Sequence, residues 1–173
     1  FVGPYLQPFP SVVVVPDGAW HEGLDDEAFL EALRTRTLPS WGLPCLVRCA
    51  YLLLQKEGRR QGLRSLLGEA ADLREQPKLS VGLFVHETLA YFTLHMVHFF
   101  ITSSGLPPEQ PFAGFARTCP RCLDPLLYCD YYSDALLHSK EAQTELVLPD
   151  LCPLPSLVSA GPQWRGFRAR AYS

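Results

Sequence analysis

Residues 79–101 read LSVGLFVHETLAYFTLHMVHFFI, which is the most apolar stretch of the chain. At about 20 residues it is long enough to cross a bilayer. It contains four ionisable side chains, however, namely His86, Glu87, His95 and His98. Ionisable groups are costly inside a membrane. The stretch therefore predicts a helix over residues 79–103 at the centre of a folded core, and no membrane partner.

One face of this predicted helix is polar. At about 100° per residue, five side chains fall on it: Glu87, Tyr91, His95, His98 and Thr102. Such a face is typical of the solvent-facing or hydrogen-bonded side of a mostly buried helix. The alternative is a metal site or a proton relay. His95 and His98 are its best candidates because residues three apart lie on the same side of a helix.

Three further helices are predicted before the central one. Asp25 or Asp26 is a suitable N-cap for the first, over residues 27–33. Apolar residues then repeat at helical spacing over residues 45–53 and again over residues 63–73. The short turn at residues 58–62 predicts that the last two helices lie antiparallel. Cys45 and Cys49 are interpreted as small apolar residues that face the core.

Residues 119–122 read Cys-Pro-Arg-Cys, and two thiols at this spacing are typical of half a tetrahedral zinc site. Cys129 or Cys152, together with His138, can supply the other two ligands. We therefore predict a structural zinc ion. The alternatives are an unmetallated pair of half-buried thiols and a redox dithiol. The candidate metal ligands are Cys119, Cys122, Cys129, His138 and Cys152.

The section after Phe112 is predicted to contain β-strands, over residues 126–132 and 144–148, because both are rich in large apolar and tyrosine side chains. The valines of residues 12–15, between prolines, predict an edge strand. The predicted fold class is α+β, with a mainly helical N-terminal two thirds around the central apolar helix and a smaller C-terminal section stapled by zinc. The predicted divisions are a proline-rich arm with an edge strand (1–20), a helical core (21–105), a cysteine-containing β section (106–160) and a basic aromatic tail (161–173).

Composition and charge limit the classes of protein to which this chain can belong. A hydrophobic content of 47% in 173 residues is enough for one domain with its own core. The net charge of -3 gives no electrostatic reason to expect a polyanionic partner. Six cysteines are few for a disulfide-stapled secreted scaffold, which predicts an intracellular protein of the nucleus or cytoplasm. The chain begins with Phe1, which suggests a fragment of a larger protein or complex subunit.

The motifs of several enzyme classes are incomplete or absent in this sequence. His86-Glu87-Thr88-Leu89-Ala90 begins like a zinc-protease helix but has Ala90 where the second histidine belongs. The chain also has no phosphate-binding glycine loop and no nucleophile elbow. The sequence therefore favours a non-enzymatic protein-protein interaction or scaffold module. The alternatives are a metal-dependent enzyme that uses Glu87, His95 and His98, and a single-stranded nucleic-acid binding module that uses the basic aromatic tail.

Overall fold

The computed structural model describes residues 17–75 and 86–157. The helices in these ranges are α1 (Asp26–Arg34), α2 (Leu43–Arg74), α3 (Glu87–Ser104), α4 (Phe112–Thr118), the 3-10 helices Pro120–Leu123 and Leu127–Asp130, α5 (Asp134–Leu137) and α6 (Lys140–Thr144). The predicted edge strand at residues 12–15 and the basic tail at 161–173 lie outside the described residues.

Helix α1 begins where the sequence predicts. The side chain of Asp25 accepts a hydrogen bond from the Ala28 amide at 2.8 Å, so Asp25 is the N-cap. Phe29 and Leu33, one turn apart, are buried on its inner face. The prediction of this helix from its cap and its apolar spacing is confirmed.

Helix α2 is a helical hairpin rather than one straight rod. Gly58 interrupts it with φ 73° and ψ 174°, which divides it into a first arm (residues 43–57) and a second arm (residues 59–74). Gly62 lies against the backbone of Leu53, since a Cβ there would be 3.0 Å from the Leu53 carbonyl oxygen. Close packing of the arms across residues 53 and 62 agrees with the predicted antiparallel pair.

Helix α3 packs against both arms of α2 and supplies buried side chains to two cores. It runs antiparallel to the second arm: Arg74 contacts Glu87 at the start of α3 (3.4 Å), and Arg59 contacts His98 near its end (3.3 Å). Gly105, at φ 67°, ends the helix in the left-handed conformation that favours glycine. The prediction of a central apolar helix is confirmed for the part that begins at Glu87, and residues 79–85 lie outside the described residues.

The predicted α+β fold class, with its β-containing C-terminal section, is wrong, because the described residues form a helical structure without a sheet. Between residues 106 and 157 the described chain consists of short helices, turns and an extended segment, without a β-strand. Residues 127–130 form a 3-10 helix, and Leu127 and Tyr131 are both buried four residues apart. Tyr131 and its neighbour Tyr132 are also both buried, whereas a strand would place them on opposite faces. The apolar residues of this stretch therefore follow a helical spacing.

The second predicted strand, residues 144–148, also fails to pair with another strand. Thr144 ends α6, and the chain then runs extended past the start of α3. There the Val147 amide donates to the Thr88 hydroxyl at 3.2 Å, and that hydroxyl donates to the Glu145 carbonyl at 2.8 Å. Side-chain hydroxyls replace the backbone partners that a β-ladder would provide, so an extended segment forms without a sheet.

Arg48 lies inside the first core, with 1% of its surface exposed. Its guanidinium is 2.7 Å from the Asp26 carboxylate. It also donates to three backbone carbonyl oxygens, those of Trp20 (2.9 Å), His21 (3.0 Å) and Leu24 (2.7 Å). The second carboxylate oxygen of Asp26 accepts from the Phe112 amide at 3.1 Å. Arg48 and Asp26 thereby join the chain before α1 to α2 and to α4.

Candidate functional site

The polar face of α3 meets an arginine from the second arm of α2. One Nη of Arg59 is 3.0 Å from Nδ1 of His95, and the other is 3.3 Å from Nδ1 of His98. The same guanidinium lies 5.9 Å from the ring centre of Tyr91. We call these four residues the arginine–histidine cluster. The sequence predicted the histidines and Tyr91 on one face, but it did not single out Arg59.

The hydrogen bonds of the cluster determine which ring nitrogens carry protons. A guanidinium only donates, so Nδ1 of both histidines accepts and Nε2 carries the hydrogen of the neutral ring. Nε2 of His95 is 2.8 Å from the Pro155 carbonyl oxygen and donates to it. Burial lowers the pKa of both imidazoles, and the Arg59 cation lowers each further. Both rings are therefore neutral at pH 7.

This geometry bears on the alternative of a metal-dependent enzyme. His95 has both ring nitrogens engaged, and His98 directs its Nδ1 lone pair at a cation. Glu87, the third predicted member, lies at the other end of α3 and pairs with Arg74. The described geometry thus brings the two histidines together around Arg59 and keeps Glu87 apart from them. It supports contact with an anion better than contact with a metal ion.

Three imidazoles lead to a pH-dependent stability. Burial lowers the pKa of His86, His95 and His98 from 6.5. In the unfolded chain these rings regain their ordinary pKa, so the unfolded state binds more protons as the pH falls. We expect the free energy of unfolding to be highest above pH 6.5 and to decrease as the pH falls below it. Urea unfolding between about pH 7.5 and about pH 5.5, above the range where carboxylates titrate, measures this.

The control for this prediction is Arg59→Gln. Removing the guanidinium removes a charge that lowers the pKa of His95 and His98, so the decrease in stability towards acid pH should become smaller. A wild-type chain with constant stability over this pH range would contradict burial of neutral imidazoles.

The five candidate zinc ligands are distributed over different parts of the described structure. Cys119 and Cys122 are buried in the first core and Cys152 in the second. Burial raises the pKa of all three thiols, which favours the protonated form. Cys129 is exposed, and so is His138, whose Nδ1 is 2.9 Å from the Asp134 carbonyl oxygen. Within residues 17–75 and 86–157, no group of three or more histidine, cysteine or acidic side chains is arranged to hold a metal. The zinc ion at Cys119 and Cys122 stays a prediction.

Cys45 and Cys49 are buried core residues, as predicted. The Cys45 thiol is near two backbone carbonyl oxygens, with its sulfur 3.4 Å from that of Ala19. Burial raises the pKa of Cys45 to about 11 and raises that of Cys49 as well. Both thiols therefore stay protonated at neutral pH.

A second candidate site is the chain that follows α6, residues 145–152, which we call the leucine segment. It is extended at residues 146–149 and bends at residues 150–152. Three of its leucines are largely exposed: Leu146 (48%), Leu148 (74%) and Leu151 (57%). Val147, between the first two, packs into the second core. The alternation of exposed leucine and inward valine gives the segment an outer apolar side.

Hydrogen bonds hold the backbone of the leucine segment along its length. Besides the Thr88 contacts, the Tyr132 hydroxyl donates to the Val147 carbonyl at 3.0 Å. Further along, the Leu151 amide donates to the Tyr131 carbonyl at 2.9 Å. Asp150 accepts from the amide (2.8 Å) and the hydroxyl (2.5 Å) of Ser133, and these bonds lower its pKa. The exposed leucines are thus attached to a backbone that is fixed at several points.

The cavities among the described residues include a small apolar one and a larger open cleft. One, of about 20 Å³, is apolar and lies between α2, α3 and Cys122. It has room for about one water molecule and is too small for an organic ligand. The other, of about 250 Å³, is an open cleft between α1 and α2 with a leucine floor and a charged rim. Much of that rim is internally paired, as in Glu31 with Arg34 and Glu27 with Lys56.

The chain matches no protein-family model, no curated protein and no solved structure. Its helices within the described ranges are each too short or too polar to span a bilayer.

Proposed function

We propose that this chain is a protein-protein interaction module whose partner docks on the leucine segment. The observation that carries the proposal is the set of three exposed leucines within six residues, with Leu146 and Leu148 on the extended residues 146–149 and Leu151 in the bend that follows. Single exposed leucines are ordinary on protein surfaces. Several together on an ordered segment are typical of an interaction surface, because each loses water-exposed apolar area when a partner covers it.

The fixed backbone supports binding because it reduces the entropy lost on association. A flexible loop would have to be ordered by its partner, at a cost in affinity. Here hydrogen bonds with the Thr88 hydroxyl, the Tyr131 carbonyl and the Tyr132 hydroxyl already hold the segment. A partner therefore meets leucines in nearly the positions that they keep in the complex.

The charges around the segment indicate the chemistry of the partner. Glu145 precedes Leu146, Asp150 lies between Leu148 and Leu151, and both acidic side chains are exposed. Over residues 134–157 the acidic side chains are Asp134, Glu141, Glu145 and Asp150, and the only lysine or arginine is Lys140. Arg74 also reaches this region, since it donates to the Gln143 carbonyl at 2.8 Å, but acidic side chains remain in excess. An acidic excess beside apolar side chains complements an apolar surface bordered by lysine or arginine. The proposed partner is thus an amphipathic helix with a leucine-rich face and basic flanks.

A pair of synthetic peptides tests this proposal. One is an amphipathic helix with leucine on one face and lysine on the other, and its control has glutamate in place of lysine. We expect the leucine–lysine peptide to bind in fluorescence anisotropy and the leucine–glutamate peptide to bind at least about tenfold more weakly, because like charges repel across an interface. Leu148→Ser should weaken binding by about tenfold or more, since burial of one leucine contributes about 1.5–3 kcal/mol.

The matched control is Leu126→Ser, which removes another exposed leucine (63% exposed) outside the leucine segment. Its affinity for the leucine–lysine peptide should equal that of the wild type. The proposal is wrong if the two peptides bind equally well, or if Leu126→Ser weakens binding as much as Leu148→Ser.

Two further predictions accompany this proposal. All six cysteines are free thiols, which supports an intracellular setting. The alternative of single-stranded nucleic-acid binding rests on the basic aromatic tail at 161–173, which lies outside the described residues, so it stays a prediction.

A further inference from the structure

Arg59 is a half-buried cation without an acidic partner. All 18 aspartate and glutamate side chains of the chain lie within the described ranges, and no carboxylate oxygen is within 4.0 Å of its guanidinium. Its hydrogen-bond partners are the two neutral imidazoles of His95 and His98. A charge withdrawn from water is costly unless an opposite charge compensates it. The arginine–histidine cluster therefore lacks a negative charge that a ligand can supply.

The cluster keeps several hydrogen-bond donors for such a ligand. A guanidinium has five N–H groups, and the two imidazoles use one on each Nη. Three N–H groups of the guanidinium are therefore left for a ligand. The Nε2–H of His98 points away from Arg59, because its Nδ1 accepts from Arg59 and the two nitrogens of an imidazole bond in widely divergent directions.

We propose that Arg59 binds a phosphate group, either as inorganic phosphate or as a phosphate monoester, beside His95 and His98. Arginine recognises phosphate through two parallel hydrogen bonds. A phosphate monoester carries a charge of about -1.5 to -2 at pH 7 and compensates a half-buried cation more fully than the single charge of a carboxylate does. The proposal is independent of docking on the leucine segment, because it depends on different side chains.

The charge of the ligand also fits the two imidazoles. That charge is more than Arg59 alone neutralises. Among the described residues, the charged group that acts on both imidazoles is Arg59, and His98 also acts on His95. A bound dianion favours the imidazolium form, so phosphate should raise the pH at which His98 titrates.

Histidine-selective nitrogen NMR tests the proposal on the whole chain. Inorganic phosphate is added at constant ionic strength, with phenyl phosphate and acetate as parallel ligands. We expect saturable shifts of the His98 and His95 resonances with phosphate and an upward shift of the His98 titration midpoint. Acetate should bind at least about tenfold more weakly, because it offers fewer acceptor atoms and less charge. Binding of phenyl phosphate as well indicates a monoester site, and its exclusion indicates a site for inorganic phosphate.

The variants for this experiment are Arg59→Gln and the control Arg60→Gln, which removes the exposed neighbouring arginine. Arg59→Gln should weaken phosphate binding by about tenfold or more, because a hydrogen bond to a charged group is lost. Arg60→Gln should leave binding unchanged. Arg59→Lys keeps the positive charge but loses the planar guanidinium, so it should bind phosphate with intermediate affinity. It also controls for a folding defect in Arg59→Gln. Unsaturable shifts in the wild type, equal loss in both glutamine variants, or acetate binding as tight as phosphate binding would overturn the proposal.

Discussion

Replacement of Arg48 by alanine is expected to lower the free energy of unfolding by roughly 3–5 kcal/mol, the range for breaking a buried ion pair. The guanidinium is almost fully buried and is paired with Asp26. Its removal leaves that carboxylate without its cation and three backbone carbonyl oxygens without a donor. Leaving buried polar groups unpaired costs more free energy than the ion pair itself contributes. We therefore expect this single substitution to have a large effect on stability.

Urea unfolding at neutral pH measures the effect, with Arg34→Ala as the control. Arg34 is exposed on the outer side of α1 and pairs with Glu31 on the same helix. Its loss should change the urea midpoint little, as is usual for surface pairs. A similar small change for Arg48→Ala would show that Arg48 does not join α1, α2 and α4 as described.

The second large effect is expected at the hairpin of α2. Gly58→Ala places a side chain at φ 73° and ψ 174°, a region that only glycine adopts readily, and should cost about 1–3 kcal/mol. Gly62→Ala adds a Cβ at 3.0 Å from the Leu53 carbonyl oxygen and 3.1 Å from its carbon. Because the contact is with backbone atoms, the two arms must separate, at a cost of about 1–3 kcal/mol.

Gly68→Ala is the matched control, since it lies in the same arm and its Cβ would meet nothing within 4 Å. Alanine there should stabilise the chain by about 0.5–1 kcal/mol, because glycine is the weaker helix former. The three variants are compared by thermal and urea unfolding. Equal changes in the free energy of unfolding at all three positions would mean that helix propensity alone determines them. That result would contradict the tight hairpin.

The helical part of the fold is readable from sequence because its signals are local. The Asp25 cap, the apolar spacing of α1 and the polar turn beginning at Gly58 each involve residues within one or two turns. The strands predicted after Phe112 failed because apolar content was taken as a strand signal. Tyr131 and Tyr132 are both buried because their rings contact an aromatic side chain of α3. That helix is distant from them in sequence, so a local pattern does not reveal the contact.

The candidate sites follow the same division between local and distant signals. His95 and His98 are three residues apart on one helix, so their common face is predictable. Arg59 is 36 residues before His95 in sequence, and only the antiparallel packing of α2 on α3 brings them together. The burial of Arg48 is even harder to predict from sequence, because arginine is almost never fully buried. Neither arginine carries a sequence pattern that distinguishes it from exposed neighbours such as Arg60.

Amide hydrogen exchange with and without the leucine–lysine peptide tests the interaction module most directly. If the peptide docks on the leucine segment, the amides of residues 145–152 should exchange more slowly. The exchange rates of the amides that line the charged cleft between α1 and α2 should not change. Because exchange reports each backbone amide separately, it locates the peptide without a mutation. Protection over α1 and the first arm of α2, with residues 145–152 unaffected, would contradict the account and place the peptide in the cleft instead.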